Sequence, residues 1–163
     1  MTMTTNVQVR PTPAVEPPVG DAEPAYMRQL RRYSIPMLRI ALGIVFVWFG
    51  ALKVLDLTPV GDLVAGAVPW FDKTWFVPAL GGFEVVVGLL LMSGRWVRLT
   101  CAAMIAHLCG TFMVYLMEPG VAFEHGNPLL MTMAGEFVAK NIVLITAGLA
   151  VMAWSAHRAR GAR

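Results

Sequence analysis

Four long apolar stretches, about residues 36 to 55, 76 to 93, 99 to 117 and 135 to 155, limit this chain more than any other feature of it. A helix needs roughly 20 mostly apolar residues to cross a hydrocarbon core, and each stretch is about that long. Inside a bilayer no water is available to backbone N–H and C=O groups, so an isolated apolar segment of this length crosses as a helix. The composition agrees, at 57% hydrophobic and 14% charged, where a soluble domain holds about 45–50% and 25%. The expected fold class is all-α: a four-transmembrane-helix bundle with a Pro-rich N-terminal tail, in contact with membrane lipids.

An even number of crossings puts both termini on one side. Nine arginines (Arg28, Arg31, Arg32, Arg39, Arg95, Arg98, Arg158, Arg160 and Arg163) flank the spans on that side. The other two connections hold Lys73 alone against Asp56, Asp62, Asp72, Glu118 and Glu124. Cytoplasmic connections collect Lys and Arg, so both termini are expected in the cytoplasm. The net charge of +3 is thus arranged for topology, and nucleic acid is not an expected partner.

Two parts follow. Residues 1–24 contain Pro11, Pro13, Pro17, Pro18 and Pro24 and no apolar run, a composition that cannot bury enough surface to offset its ordering entropy. They are expected to form a disordered or partner-bound cytoplasmic tail, and they lack the short apolar core of a cleaved signal peptide. Residues 25–163 make up the transmembrane domain. Its first outer connection, 56 to 75, mixes Leu63, Val64, Val68, Trp70, Phe71 and Trp75 with prolines and acids. It is expected to lie along the outer interface or dip into the bundle mouth, as an anchor rather than a lid. Ser93-Gly94-Arg95 reads as a tight inner turn. Small residues recur at packing distance, Ala102, Ala106 and Gly110 in the third span and Gly135, Ala139, Val143 and Ala147 in the fourth. Close backbone approach at such residues drives association in lipid, so both stripes are expected inside the bundle.

The candidate chemistry lies with ionisable residues inside the spans: Lys53, Glu84, His107, Glu136 and Lys140. A charge at mid-membrane costs roughly 2.5 kcal/mol or more, so each needs a partner or a cavity. Glu84 has no base within a turn of its own helix, so Lys53, Lys140 or, less favourably, His107 must supply its partner. Left unpartnered, it would hold its proton near neutral pH and could exchange protons with a quinone; paired, it would act as an interhelical clamp. Lys53 has the alternative of reaching outward to headgroups. Glu136 and Lys140, four apart with the acid first, could satisfy each other.

Other chemistry is thinly represented. His107 lacks a second ligand at metal-binding spacing, so no metal site is expected. Cys101 and Cys109 lie about 12 Å apart along one helix, too far for a mutual disulfide, and no CxxC occurs. Phosphate-binding and nucleophile-elbow motifs are missing. No residue is identified as catalytic, and no covalently bound cofactor is expected.

Three segments carry a family resemblance. Arg39-Ile40-Ala41-Leu42-Gly43-Ile44-Val45-Phe46 followed by Trp48-Phe49-Gly50-Ala51-Leu52-Lys53 resembles the first helix of DoxX-like membrane proteins. Gly82-Phe83-Glu84 with Gly88-Leu89-Leu90-Leu91 resembles their second, and Gly135-Glu136-Phe137-Val138-Ala139-Lys140-Asn141 their fourth. The chain is also similar to a related inner-membrane group associated with reactive chlorine resistance. The resemblance implies a multi-pass protein of the bacterial inner membrane, linked to quinone-coupled sulfur oxidation or to oxidoreductase complexes that tolerate oxidative stress. It places the family's polar positions at Lys53, Glu84, Lys140 and Asn141.

The leading expectation is an accessory integral-membrane subunit of a redox or oxidative-stress complex, with a protein partner and with quinone as the candidate cofactor, rather than a free-standing enzyme. The alternatives are a non-catalytic assembly or anchoring protein and a small-molecule or lipid-binding carrier. A quinone site requires an apolar slot beside Glu84 that opens sideways to lipid, whereas a scaffold requires a filled bundle.

Overall fold

The computed structural model describes residues 24–58 and 61–161, the last four as backbone only. The tail expected over 1–24 lies outside the described residues except for Pro24, as does Arg163. Among the described residues eight α-helices follow in order, α1 Ala25–Val54, α2 Gly61–Ala67, α3 Lys73–Ser93, α4 Val97–Thr111, α5 Val114–Met117, α6 Pro119–Ala122, α7 Met133–Ala139 and α8 Asn141–Gly161, with one turn of 3₁₀ helix at Glu124–Gly126. Four helical stretches among the described residues are long and apolar enough to cross a membrane: Ala25–Val54, Lys73–Ser93, Val97–Met117 and Met133–His157. The all-α, four-crossing architecture therefore holds.

At 1.5 Å per residue, α1 is about 45 Å long, which exceeds a hydrocarbon core of about 30 Å. Its first turns carry Arg28, Arg31 and Arg32 beyond the apolar part. Hydropathy marks where the membrane begins, but the backbone gains nothing by unwinding there, so the helix starts well before residue 36.

The bundle is built from two pairs. α1 packs chiefly on α3 and α4 chiefly on α8, with sparser contact between α1 and α8 and between α3 and α4. Glycines set the first pair. A Cβ on Gly43 would stand 2.7 Å from the Gly88 carbonyl oxygen, and one on Gly81 would stand 2.6 Å from that of Gly50. The two antiparallel backbones therefore meet at Gly43 with Gly88 and at Gly50 with Gly81, each pair of glycines seven residues apart along its helix. Without a hydrophobic drive in lipid, such backbone contact is what holds helices together.

The small stripe of the third span behaves differently. Ala102, Ala106 and Gly110 are exposed, because α4 turns Cys101, Met104 and Leu108 inward instead. In the fourth span Gly135 is buried against Ala122, whereas Val143 is exposed.

Two apolar clusters result. The larger joins Leu42, Phe46, Val87, Leu91, Cys101, Met104, Leu108 and Val151, and the smaller joins Ala67, Val114, Ala122 and Val138. The turns between elements follow their residues. Asp72 caps α3, accepting from Thr74 N at 2.9 Å and Thr74 Oγ1 at 2.7 Å. Gly94 ends α3 at φ 72°, a left-handed conformation that suits glycine, and Arg39 Nη1 donates to Leu91 O at 2.7 Å beside it.

The two connections on the side opposite the termini are more structured than a loop. Trp70, Phe71 and Trp75 are exposed, as interfacial anchors would be, while α2 turns Leu63, Val64 and Ala67 toward the interior. The third and fourth crossings are each interrupted near the ends farther from the chain termini, at Phe112 and Met113 between α4 and α5 and at Lys140 between α7 and α8. Broken helix at membrane depth is tolerated where it faces protein or a cavity. Here it faces both.

Candidate functional site

Lys53 lies in the last turn of α1, Glu84 at the middle of α3, and His107 in the second half of α4. The Lys53 side chain turns inward, not outward to headgroups. Nζ donates to Glu84 Oε1 at 2.7 Å and to Oε2 at 2.6 Å. The packing of α1 on α3 explains the direction: Gly81 has no side chain, and its vacant Cβ position lies 2.7 Å from Lys53 Cβ. The lysine stem passes over that glycine to reach the carboxylate one turn deeper.

His107 completes the cluster. Its Nε2 lies 2.7 Å from Glu84 Oε1, and its ring sits between Phe46, 6.1 Å away at 72°, and Phe83, 5.6 Å away at 55°. The Lys53, Glu84 and His107 side chains are only 9%, 7% and 9% exposed. Three helices are thereby joined through one carboxylate. Of the bases expected as partners of Glu84, Lys53 is one, His107, the weaker candidate, is another, and Lys140 is not.

The remaining polar residues separate. Asn141, buried at the start of α8, donates from Nδ2 to Thr111 Oγ1 at 2.8 Å. This bond ties the two interrupted crossings together at their breaks. Thr111 carried no signal beyond its position one turn after His107, and nothing in its own surroundings marked it in the sequence. Glu136 and Lys140 are both exposed, and among the described residues no side-chain hydrogen bond or ion pair joins them; their one bond is the helical Lys140 N to Glu136 O, at 3.1 Å. At an exposed position an i, i+4 pair gains only about 0.2–0.5 kcal/mol, too little to hold two long side chains in one geometry.

A cavity of about 630 Å³ occupies the space between the two apolar clusters. Lys53, Glu84 and His107 form one wall, and Lys140, Asn141 and Thr111 also border it; Glu136 does not. The rest of the lining is apolar, including Val45, Phe46, Phe49, Leu80, Phe137 and Leu144, with Leu63, Val64, Ala67 and Val68 above. Phe49, Lys140 and Val143 border the cavity and are exposed as well, Val143 by 67%. Ala106 and Gly110 of α4 border the cavity and are exposed too, so it reaches the surface at these five residues. Among the described residues no three His, Cys, Asp or Glu side chains come together in a way that could hold a metal ion. Cys101 is buried and Cys109 exposed, both as free thiols.

Fold and site together define a multi-pass helical membrane protein with a buried carboxylate, ammonium and imidazole on the wall of an apolar cavity. The chain belongs to the DoxX family, whose model matches residues 35–117, about half of its length. The match takes in Lys53, Glu84, His107 and Thr111 and ends before α7, so the resemblance of 135–141 to a fourth family helix lies outside it. Among curated proteins and among solved structures, nothing matches.

Proposed function

We propose that this protein is an accessory integral-membrane subunit of a redox or oxidative-stress complex, and that it takes a quinone between its helices beside Glu84. The observation that carries this reading is the 630 Å³ cavity with Lys53, Glu84 and His107 on its wall. That volume falls within the roughly 300–1,000 Å³ usual for small-molecule sites. A few convergent polar groups in an apolar lining suit a flat headgroup with oxygens at its edge and an apolar tail. The opening at Phe49 and Val143 faces the side from which a lipid-dissolved ligand would arrive. An unfilled bundle counts against a purely structural scaffold.

The connections between crossings are too short to house a cofactor-binding domain, so the electrons for quinone chemistry are assigned to a partner polypeptide. The arginine distribution supports an inner-membrane protein with both termini in the cytoplasm. A lipid carrier would use the same opening, but an acyl chain has no use for three polar groups drawn together at depth. Mild-detergent purification followed by mass spectrometry of bound lipids and proteins tests the proposal. Quinone and an oxidoreductase subunit should co-purify with the native protein, and the quinone should be depleted in Ala67→Trp, which places a large ring at a buried position on the cavity wall. Equal quinone in both, or phospholipid alone, would overturn it.

A further inference from the structure

The opening residues of α1, 25–34, are all exposed. They carry the helix about 15 Å beyond the apolar stretch, into the aqueous layer on the side of the termini. A helical segment this short is marginal in water by propensity alone and takes its stability from packing an apolar face. Such a face is present: Tyr26, Leu30 and Tyr33 are 66%, 63% and 52% exposed. The same line runs on into the membrane through Met37, Ile40 and Ile44, also exposed, while Leu42, Phe46, Gly50 and Lys53 on the opposite side of α1 face the bundle. From Tyr26 to Ile44 the steps alternate between four and three residues, the spacing of a coiled-coil seam. Lipid tails cover Met37, Ile40 and Ile44. Beyond the headgroups Tyr26 and Leu30 meet water unless protein covers them.

The placement of charge says what that protein is. With Leu30 and Met37 at heptad positions a, and Tyr26 and Tyr33 at d, Arg28, Arg31 and Arg32 fall at f, b and c, the positions farthest from the seam. The flanking e and g positions, where side chains of two helices meet across a seam, hold Met27, Ser34, Gln29 and Pro36 and no charge. A helix carrying these arginines can therefore lie against another carrying the same ones without bringing cations together. An acidic partner helix would find no base at e or g to pair with. Parallel alignment is imposed by the membrane, since the same arginines orient every copy of the chain in the same way.

We infer that the protein forms a symmetric dimer in which the α1 helices of two copies pair in parallel along Tyr26, Leu30, Tyr33 and Met37. The test uses the full chain in native membranes with Cys101 and Cys109 replaced. Under catalysed oxidation, Leu30→Cys, Tyr33→Cys and Met37→Cys should each give a disulfide-linked dimer, about fivefold or more above Arg28→Cys and Arg32→Cys, whose positions lie off the seam. Native mass spectrometry of the protein with its own cysteines should show a dimer. Leu30→Lys sets two cations face to face in the seam and should move the balance about tenfold or more toward monomer, with membrane insertion unchanged. Equal cross-linking at all five positions, linkage confined to Arg28→Cys and Arg32→Cys, or a dimer that Leu30→Lys leaves intact would overturn the inference. A monomer would overturn it too, whether its seam cysteines link to a different polypeptide or to nothing. The cysteine scan decides the matter even if Leu30→Lys unwinds the extension.

Discussion

Glu84→Gln removes the charge that holds Lys53 and weakens the acceptor that orients His107. Lys53 is then an ammonium with a side chain 9% exposed and no counter-charge bonded to it. Breaking one member of a buried pair costs about 3–5 kcal/mol, most of it the penalty of the charge left behind. Lys53→Met strands the carboxylate instead, with His107 as its remaining partner, and should cost a similar amount. The double variant Lys53→Met/Glu84→Gln strands nothing, since the amide oxygen still accepts from His107 Nε2 and the methionine fills the volume of the lysine stem. It should unfold within about 1–2 kcal/mol of the native protein and be more stable than either single variant. Lys140→Met in the Glu84→Gln background should recover nothing, because Lys140 makes no bond to Glu84. Equilibrium unfolding by SDS in mixed micelles, followed by circular dichroism, reads all five proteins. The ion-pair argument fails if either single change costs under about 0.5 kcal/mol, or if the two losses simply add in the double variant.

Adjacent glycines on α3 provide an internal control for the packing of α1 on α3. Gly81→Ala drives a Cβ against Gly50 O and Lys53 Cβ and should cost about 1–3 kcal/mol, whereas Gly82→Ala meets nothing within 4 Å and should be neutral or stabilising by up to about 1 kcal/mol in the same unfolding assay. For topology, single cysteines at Asp62 and Gly126, with Cys101 and Cys109 replaced, should react with an impermeant maleimide in whole cells; labelling at Arg158 would reverse the proposed orientation. Hydrogen bonds from Thr74 Oγ1 and N hold the Asp72 carboxyl below its ordinary value of 3.8. A depressed folded value means that the cap contributes above the unfolded pKa and is lost as pH falls through the folded one. Exchange of the Thr74 amide, corrected for intrinsic rate, should therefore accelerate on acidification below that ordinary value in the native protein, and Asp72→Ala should abolish the pH step.

The crossings and the need for charge compensation were legible in the sequence because both follow from transfer energies that depend on residue type and on run length alone. Hydropathy locates an apolar span wherever its neighbours lie, and the cost of a carboxylate at the depth of Glu84 demands a base from another helix before any packing is known. The seven-residue spacing of Gly43 with Gly50 and of Gly81 with Gly88 was also there to be read. The alanine stripe of the third span drew attention instead, since spacing by itself does not say which face meets a partner.

Choosing among the candidate bases required the tertiary structure. Lys53 reaches Glu84 because Gly81 lets α1 approach α3 within backbone contact, and His107 reaches it because α4 places that face toward α3. Lys140, a lysine as well, sits at a helix break and is exposed. The cavity has the same origin. It exists because α1 and α3 form one tight pair and α4 and α8 another, and the two pairs are joined loosely. No single residue carries that property: a void is the volume left between surfaces whose separation is set by contacts elsewhere, at glycines in one pair and at Met104 and Gly148 in the other.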